Sequence, residues 1–249
     1  MKFKLKKNQS FYDYMFSIID DTYNDLVAKE FKEVFDRIDF KPKQLCSRVF
    51  YQCYNKTVGE LPRGYVSKTS VRDKFLEHEL DITHYPMMAG YEGYIDGDNK
   101  FHLTDLRITV NEDRFKSMIV DSFDTGMELL IEWIKISVRH EVGHLMDYIS
   151  MNGMNGDEYL ELIHRRRQEK AEHRKKWDAY MHSGEITSEG ENQRLREYYE
   201  LEVEATANIL ANVDTKRMLE IDDAMGLHGN EFQIDLEINV KCKEFPKGE

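Results

Sequence analysis

The sequence has few of the residues that mark extracellular or membrane-embedded proteins. Its 249 residues include three cysteines, Cys46, Cys53 and Cys242, an odd number whose spacings fit no metal motif. We therefore expect free thiols in a reducing compartment and no disulfide framework. No stretch approaches the ~18 apolar residues of a membrane-spanning helix, so we expect no membrane partner.

A cleavable signal sequence is also lacking. The first residues are basic, but Asn8, Gln9 and Ser10 interrupt the apolar segment that a signal peptide needs. We expect a cytoplasmic protein, with export as an effector left open. The formal net charge of -12 disfavours non-specific binding to nucleic acid, so we expect no nucleic-acid partner. Oligomeric state is left without a prediction.

Periodic apolar residues dominate the chain and indicate helices. Spacings of three and four residues predict helices over residues 11–19, 23–40, about 124–150, 157–180 and 191–213. Strand signals are fewer: a β-hairpin around the turn at residues 97–99, a half-buried strand at 106–110 and an alternating tail at 232–240. Residues 45–54 fit either helix or strand, and 71–80 fit a short helix.

These patterns predict an α+β fold that is predominantly helical, with a small β-sheet. We place a mainly helical N-terminal portion in residues 1–89 and a catalytic core in residues 90–249. No repeat or Pro-rich linker separates the two portions, so we expect one compact unit.

The sequence His140-Glu141-Val142-Gly143-His144 is an H-E-x-x-H motif within the long apolar helix. At ~100° per residue, the two histidines lie about 40° apart and one turn along the axis, so both imidazoles can bind one ion. Zinc bound there lowers the pKa of a water to ~7, and Glu141 can accept its proton as general base.

The position of the two histidines on this helix favours metal binding. The solvent-facing side of the predicted helix carries four charged residues, Glu128, Glu132, Lys135 and Arg139. His140 and His144 lie outside this side, on the side of Trp133. Imidazoles that are buried there need hydrogen-bond or metal partners. We prefer metal ligation over the alternative of hydrogen-bonded core histidines. Gly143 costs ~1 kcal/mol relative to Ala inside a helix, which indicates close approach of another backbone or of substrate.

A catalytic zinc usually has three protein ligands and one open position. Metzincins are excluded because Asp147 and Ser150 stand where that class needs glycine and histidine. We expect an acidic third ligand on the later helix, which offers Glu200, Glu202 and Glu204. The alternative is that these glutamates are simply a solvated helix face.

The segment Glu204-Ala205-Thr206-Ala207-Asn208-Ile209-Leu210-Ala211 has the form E-x-x-A-[ND]-x-x-A. Here the sequence resembles the gluzincin superfamily of zinc peptidases, including the small ImmA/IrrE-type peptidases. The resemblance implies a zincin-like core with one Zn²⁺ per chain, held by His140, His144 and Glu204, and Glu141 as general base. It also implies that small residues after Glu204 let the two helices pack closely.

Further roles follow from the same resemblance. His-Glu-x-Gly-His-x-x-Asp is similar to gluzincins of the anthrax lethal-factor type, which implies that Asp147 supports the metal ligands from outside the coordination sphere. Residues 106–110 are similar to the zincin edge strand that aligns substrate. Gluzincins often stabilise the oxyanion with His or Tyr, and four residues are candidates here: Tyr148, Tyr198, Tyr199 and His228. The alternative for each of them is a structural role.

Basic triplets at residues 165–167 and 174–176 alternate with glutamates on the charged helix. This pattern is typical of an exposed, salt-bridged helix; a docking surface for an acidic partner is the alternative.

The sequence thus leads us to expect a zinc metallopeptidase that cleaves a protein or peptide substrate. One alternative is an inactive or regulatory zinc-binding protein of phage or mobile-element type, in which the metal locks two helices together. A secreted or injected effector protease would share the peptidase chemistry and differ in destination.

Overall fold

The computed structural model describes residues 10–46, 86–110, 115, 116, 118, 119, 126–225, 239 and 240. Their fold is α+β and predominantly helical, as predicted. The elements in chain order are α1 (Phe11–Asp25), a π-helical turn (Leu26–Glu30), α2 (Lys32–Phe35), β1 (Lys43–Cys46), β2 (Met87–Ile95), β3 (Phe101–Val110), α3 (Met127–Ser150), α4 (Gly156–Met181), α5 (Ser188–Tyr199), α6 (Glu202–Leu210), α7 (Thr215–Ala224) and β4 (Asn239–Val240).

The sheet has the strand order β1-β3-β2-β4. β2 and β3 form the predicted antiparallel hairpin, and Asn99 in its turn adopts the left-handed conformation that Asn tolerates (φ 57°). β1 runs parallel to β3, and β4 runs parallel to β2 at Glu92 and Gly93. The prediction that residues 106–110 form an edge strand is wrong, because β1 pairs with one side of β3 here and β2 with the other.

The long helix α3 lies at the centre of the fold. It packs against α1, α6 and the β2–β3 hairpin, and most of its side chains from Leu130 to Ile149 are buried. The predicted start of this helix at about residue 124 lies outside the described residues, and Gly126 (φ 100°) precedes α3. The burial of α3 around most of its circumference agrees with the apolar pattern of the sequence.

The predicted helix at 191–213 is wrong as a single element. The chain leaves α5 at Glu200, and Leu201 is extended (φ −57°, ψ 140°) before α6 begins. This break changes the direction of the chain, so side chains of α5 and α6 do not share one helical face. The break decides which glutamate can reach α3.

The N-terminal portion shares one buried core with the sheet and α3, while α5 belongs to a second, smaller buried cluster. Met15 and Ile19 of α1 belong to the same buried cluster as residues of β2, β3 and α3, and β2 runs across the predicted boundary at residue 89. The two-part division itself stays a prediction. The predicted helix at 71–80, most of the strand at 232–240, Cys53 and Cys242 lie outside the described residues. None of the described helices combines the length and apolarity needed to cross a bilayer.

Candidate metal centre

Three side chains converge between α3 and α6. Nε2 of His140 and Nε2 of His144 lie 3.1 Å apart, and each lies 3.1 Å from Oε2 of Glu204. All three residues are buried, with Glu204 at 0% exposure. Together they form a group that could hold a metal ion.

The arrangement fits a tetrahedral metal site. Zinc bonds to imidazole nitrogen and carboxylate oxygen are about 2.0–2.2 Å long, which puts neighbouring ligand atoms about 3.3 Å apart. The observed separations of 3.1 Å are close to this value. Three buried lone-pair-bearing atoms packed so closely also repel one another unless a proton or a cation lies between them.

The tautomer of His140 is set by a neighbour on α6. Nδ1 of His140 donates to Oδ1 of Asn208 over 2.7 Å. With its proton on Nδ1, the imidazole presents the lone pair of Nε2 to the point shared with His144 and Glu204. Metal-ligating histidines are commonly oriented in this way.

Gly143 allows α3 and α6 to come together. A Cβ built at this position would collide with the carbonyl of Ala207 and lie 3.0 Å from Cβ of Ala211. Ala207 and Ala211 are themselves fully buried. The two expectations from the sequence, a close backbone at Gly143 and small residues after Glu204, therefore describe one contact.

The three candidate glutamates have different surroundings. Glu200 is exposed at the end of α5, and Glu202 forms ion pairs with Arg165 and Arg166 of α4. Of the three, only Glu204 faces the histidines, because α6 begins as a separate helix with a new direction after the break at Leu201. The solvated-face interpretation is wrong for Glu204.

A lysine also contacts Glu204. Nζ of Lys170 on α4 donates to Oε1 of Glu204 over 2.8 Å, while Oε2 faces the imidazoles. Burial by itself raises the pKa of Glu204, but the charges of Lys170 and His144 and the imidazole hydrogen bonds hold that pKa well below its ordinary value. Glu204 is therefore a carboxylate, the form that metals bind.

The proton balance of the site follows from the same contacts. Burial lowers the pKa of His140, but the hydrogen bond and charge of Glu204, with a smaller contribution from Glu141, raise it to about 9. A metal ligand must be a neutral imidazole. Metal binding here is therefore expected to release a proton from His140.

Glu141 lies beside the three converging residues and is partly buried. Its Oε2 accepts the backbone N–H of Ala89 on β2 over 2.6 Å. Burial raises the pKa of this carboxyl, which the neighbouring His144 and His140 oppose. The contact joins the H-E-x-x-H helix to the sheet and fixes the glutamate next to the site.

Asp147, which the resemblance implies as a support for the metal ligands, lies in an ion pair with Arg166 of α4, and its supporting role stays a prediction. Its carboxylate accepts two hydrogen bonds from the Arg166 guanidinium, at 2.6 and 3.2 Å, in a buried ion pair. Arg166 was predicted to be exposed with its neighbours, and this is wrong, because the structure buries it against α3. Asp147 thus ties α4 to α3, and within the described residues its side-chain hydrogen bonds go to Arg166.

The predicted oxyanion candidates have separate locations. The Tyr199 hydroxyl donates to Asp222 on α7 over 3.1 Å, and its ring meets His140 edge-on at 6.0 Å. Tyr198 lies under the Lys170 ammonium, 5.9 Å from the ring centre. Tyr148 stacks against His144 at 6.2 Å, and within the described residues its buried hydroxyl has no hydrogen-bond partner. His228 lies outside the described residues.

Sequence reasoning missed three contributors to the site. Asn208 was seen only as a pattern position, although an amide one turn after a ligand glutamate could have suggested a partner for an imidazole. Lys170 belongs to a run of charged residues, and its spacing does not distinguish it from its neighbours. The contact of the Ala89 backbone N–H cannot be predicted from the sequence, because every residue except proline has this group.

Comparison with protein-family models, with curated proteins and with solved structures finds no match to this chain.

Proposed function

We propose that the protein is a zinc-dependent metallopeptidase with Glu141 as general base. The observation that carries the proposal is the convergence of Nε2 of His140, Nε2 of His144 and Oε2 of Glu204 at mutual distances of 3.1 Å. Glu141 stands on the same helix beside the metal ligands, as the mechanism requires.

The types and the number of the candidate ligand side chains favour a catalytic zinc site. Two imidazoles with one carboxylate are a zinc ligand set of known peptidases, and structural zinc sites usually have four protein ligands. Among the described residues, no fourth His, Cys, Asp or Glu joins the group. This supports a site with one position open for water or substrate.

The chemistry divides between the ion and Glu141. Zinc would polarise the scissile carbonyl and acidify water at the open position. Glu141 would accept the proton of the attacking water and deliver it to the leaving amine. A carboxyl whose pKa is raised by burial holds a proton more readily near neutral pH.

A peptide substrate is favoured by the strand beside the site. β4 pairs with β2 only at Glu92 and Gly93, so within the described residues no strand covers residues 87–91 on the side away from β3. The N–H of Ala89 in this stretch faces Glu141. An extended peptide could add to this edge by backbone hydrogen bonds, which would bring its carbonyl groups next to the general base.

Metal analysis and a peptide library test the proposal. Purified protein should hold about one zinc per chain, and it should cleave members of a proteome-derived peptide library read by mass spectrometry. Glu141→Gln should keep the zinc and lose cleavage. A Glu141→Gln protein that cleaves as well as wild type would show that the assigned base is wrong.

The Glu141–Ala89 contact also fits the second candidate, a regulatory protein in which zinc and Glu141 join α3 to its neighbours. In that case wild type would bind zinc and cleave no peptide in the library. Glu141→Gln would then reduce thermal stability as its main effect.

A further inference from the structure

The charged helix α4 faces the candidate metal centre with three successive cationic contacts. Arg166 pairs with Asp147 of α3, Arg165 pairs with Glu202 of α6, and Lys170 pairs with Glu204 of α6. Arg166 and Lys170 are largely buried in these contacts, whereas the Arg165 side chain stays 60% exposed. All three contacts join α4 to the two helices that carry the predicted ligands.

We propose that Lys170 is a positioning residue for the third metal ligand, holding Oε1 of Glu204 so that Oε2 alone faces the two imidazoles. The inference rests on the proposed zinc site. It assigns a role to the charged helix, and it makes Glu204 a ligand through one oxygen only.

The contacts of the two carboxylate oxygens support this role. Oε2 lies 3.1 Å from both imidazole nitrogens, and Oε1 lies 2.8 Å from Nζ of Lys170. Within the described part of the chain, Oε1 accepts a hydrogen bond only from the Lys170 ammonium. Without it, the carboxylate could turn until both oxygens approached the ion.

Lys170 is itself held in place. Its side chain is 14% exposed, and its ammonium lies over the Tyr198 ring, 5.9 Å from the centre. The carboxylate attracts the ammonium from one side and the aromatic face attracts it from another. These two attractions together favour one position of the ammonium. Tyr198, a predicted oxyanion candidate, therefore serves here as a support for Lys170.

The start of α6 is fixed by the same helix. Oε2 of Glu169 accepts the backbone N–H of Glu202 over 2.9 Å, and Arg165 donates twice to the Glu202 carboxylate, at 2.8 and 2.9 Å. These bonds anchor the first turn of α6 two residues before Glu204. Lys170 lies one residue after Glu169, so its reach to Glu204 is set by the same contact.

An ammonium beside a dication has two opposing effects on metal affinity. It repels the ion, and it fixes the orientation of the ligand oxygen. Removal of a residue that orients a ligand typically weakens binding by ~10–100-fold. We infer that orientation prevails, because Glu204 is fully buried and Lys170 donates a hydrogen bond directly to Oε1.

Lys170→Met tests the role, with Lys175→Met as the matched control. Lys175 lies on the exposed side of the same helix. Zinc affinity is measured by competition with a chromophoric chelator, and the protein loaded with cobalt(II) reports the coordination number by its visible spectrum. Lys170→Met should bind zinc ~10–100-fold more weakly, with the weaker absorption of five-coordinate cobalt. Lys175→Met should match wild type in both measurements.

Lys170→Arg distinguishes loss of the positioning contact from a general loss of folding. It keeps a cationic hydrogen-bond donor at this position. It should therefore restore most of the zinc affinity and the four-coordinate cobalt spectrum. The inference is overturned if Lys170→Met binds zinc as tightly as wild type or tighter, or if it loses affinity with an unchanged cobalt spectrum. If wild type binds no zinc, the proposed function fails instead. The two failures are therefore distinguishable.

Discussion

Gly143 of α3 and Ala207 of α6 meet backbone to backbone where the two helices cross. A Cβ at Gly143 would overlap the carbonyl oxygen and carbon of Ala207. His144 follows Gly143 directly, and Glu204 lies one turn before Ala207. The missing side chain thus sets the distance between the two halves of the candidate metal centre.

Gly143→Ala should destabilise the protein and weaken zinc binding. Alanine improves helix propensity by ~1 kcal/mol, but overpacking against a backbone that cannot move aside costs about 1–3 kcal/mol. Urea unfolding and chelator competition measure the two effects. Gly97→Ala is the control, because a Cβ there meets nothing within 4 Å. A Gly143→Ala protein with wild-type stability and zinc affinity would contradict this packing.

Asn208→Ala should reduce zinc affinity by ~10–100-fold. The substitution removes the acceptor of the 2.7 Å hydrogen bond from Nδ1 of His140, so the imidazole loses its fixed tautomer and orientation. Asn208→Asp keeps an acceptor at this position and should retain more of the affinity than Asn208→Ala. Equal affinities for Asn208→Ala and wild type would show that the bond does not orient the ligand.

The sequence alone was sufficient to predict that His140, Glu141 and His144 lie together at a site, because helical spacing and the burial pattern are local properties. The residues alone did not decide which of Glu200, Glu202 and Glu204 is the third candidate ligand. The choice depends on the break at Leu201, which contains neither Gly nor Pro and so gave no turn signal. The resemblance singled out Glu204, the glutamate that the structure places beside the histidines.

Apart from the break at Leu201, the errors concern contacts between distant parts of the chain. Residues 106–110 alternate as a half-buried strand should, but alternation does not show whether one or two strands lie beside it, and β1 covers its second side. Arg166 belongs to a charged run, and only the path of α4 over α3 buries it against Asp147. Periodicity predicts elements and their faces, while partners depend on tertiary packing.

Arg166→Met should destabilise the protein by about 3–5 kcal/mol, because it leaves the buried Asp147 carboxylate without its partner. Arg165→Met is the matched control on the same helix. The Arg165 side chain is 60% exposed although it also binds Glu202, and an exposed pair contributes about 0–1 kcal/mol. Urea unfolding of both variants checks the difference. Equal losses would mean that the Arg166–Asp147 pair is not buried as described.

Asp222 should make stability depend on pH. Its carboxylate accepts hydrogen bonds from Trp133 and Tyr199, at 3.0 and 3.1 Å. Burial nevertheless raises its pKa from 3.8 to about 7, against these bonds and the charge of His140. The folded protein then binds more protons than the unfolded chain between these values. The contribution of Asp222 to the free energy of unfolding therefore falls as pH rises from about 4 to about 7, and levels off above.

Asp222→Asn removes this titration, so its free energy of unfolding should fall less than that of wild type over the same range. Urea unfolding at several pH values measures both slopes. Groups distant from Asp222 titrate equally in the two proteins, so the difference between slopes reports Asp222 together with its charge interaction with His140. Identical slopes would show that the Asp222 pKa is not raised in the folded protein.

X-ray absorption at the zinc edge tests the central claim most directly. The account predicts about one zinc per chain, with two imidazole nitrogens, one carboxylate oxygen and one further oxygen atom from water around it. Glu204→Gln should lose or remodel this signal, and Glu200→Gln, at an exposed position, should leave it unchanged. A zinc-free protein, a site with four protein ligands, or a signal lost in Glu200→Gln and kept in Glu204→Gln would contradict the account.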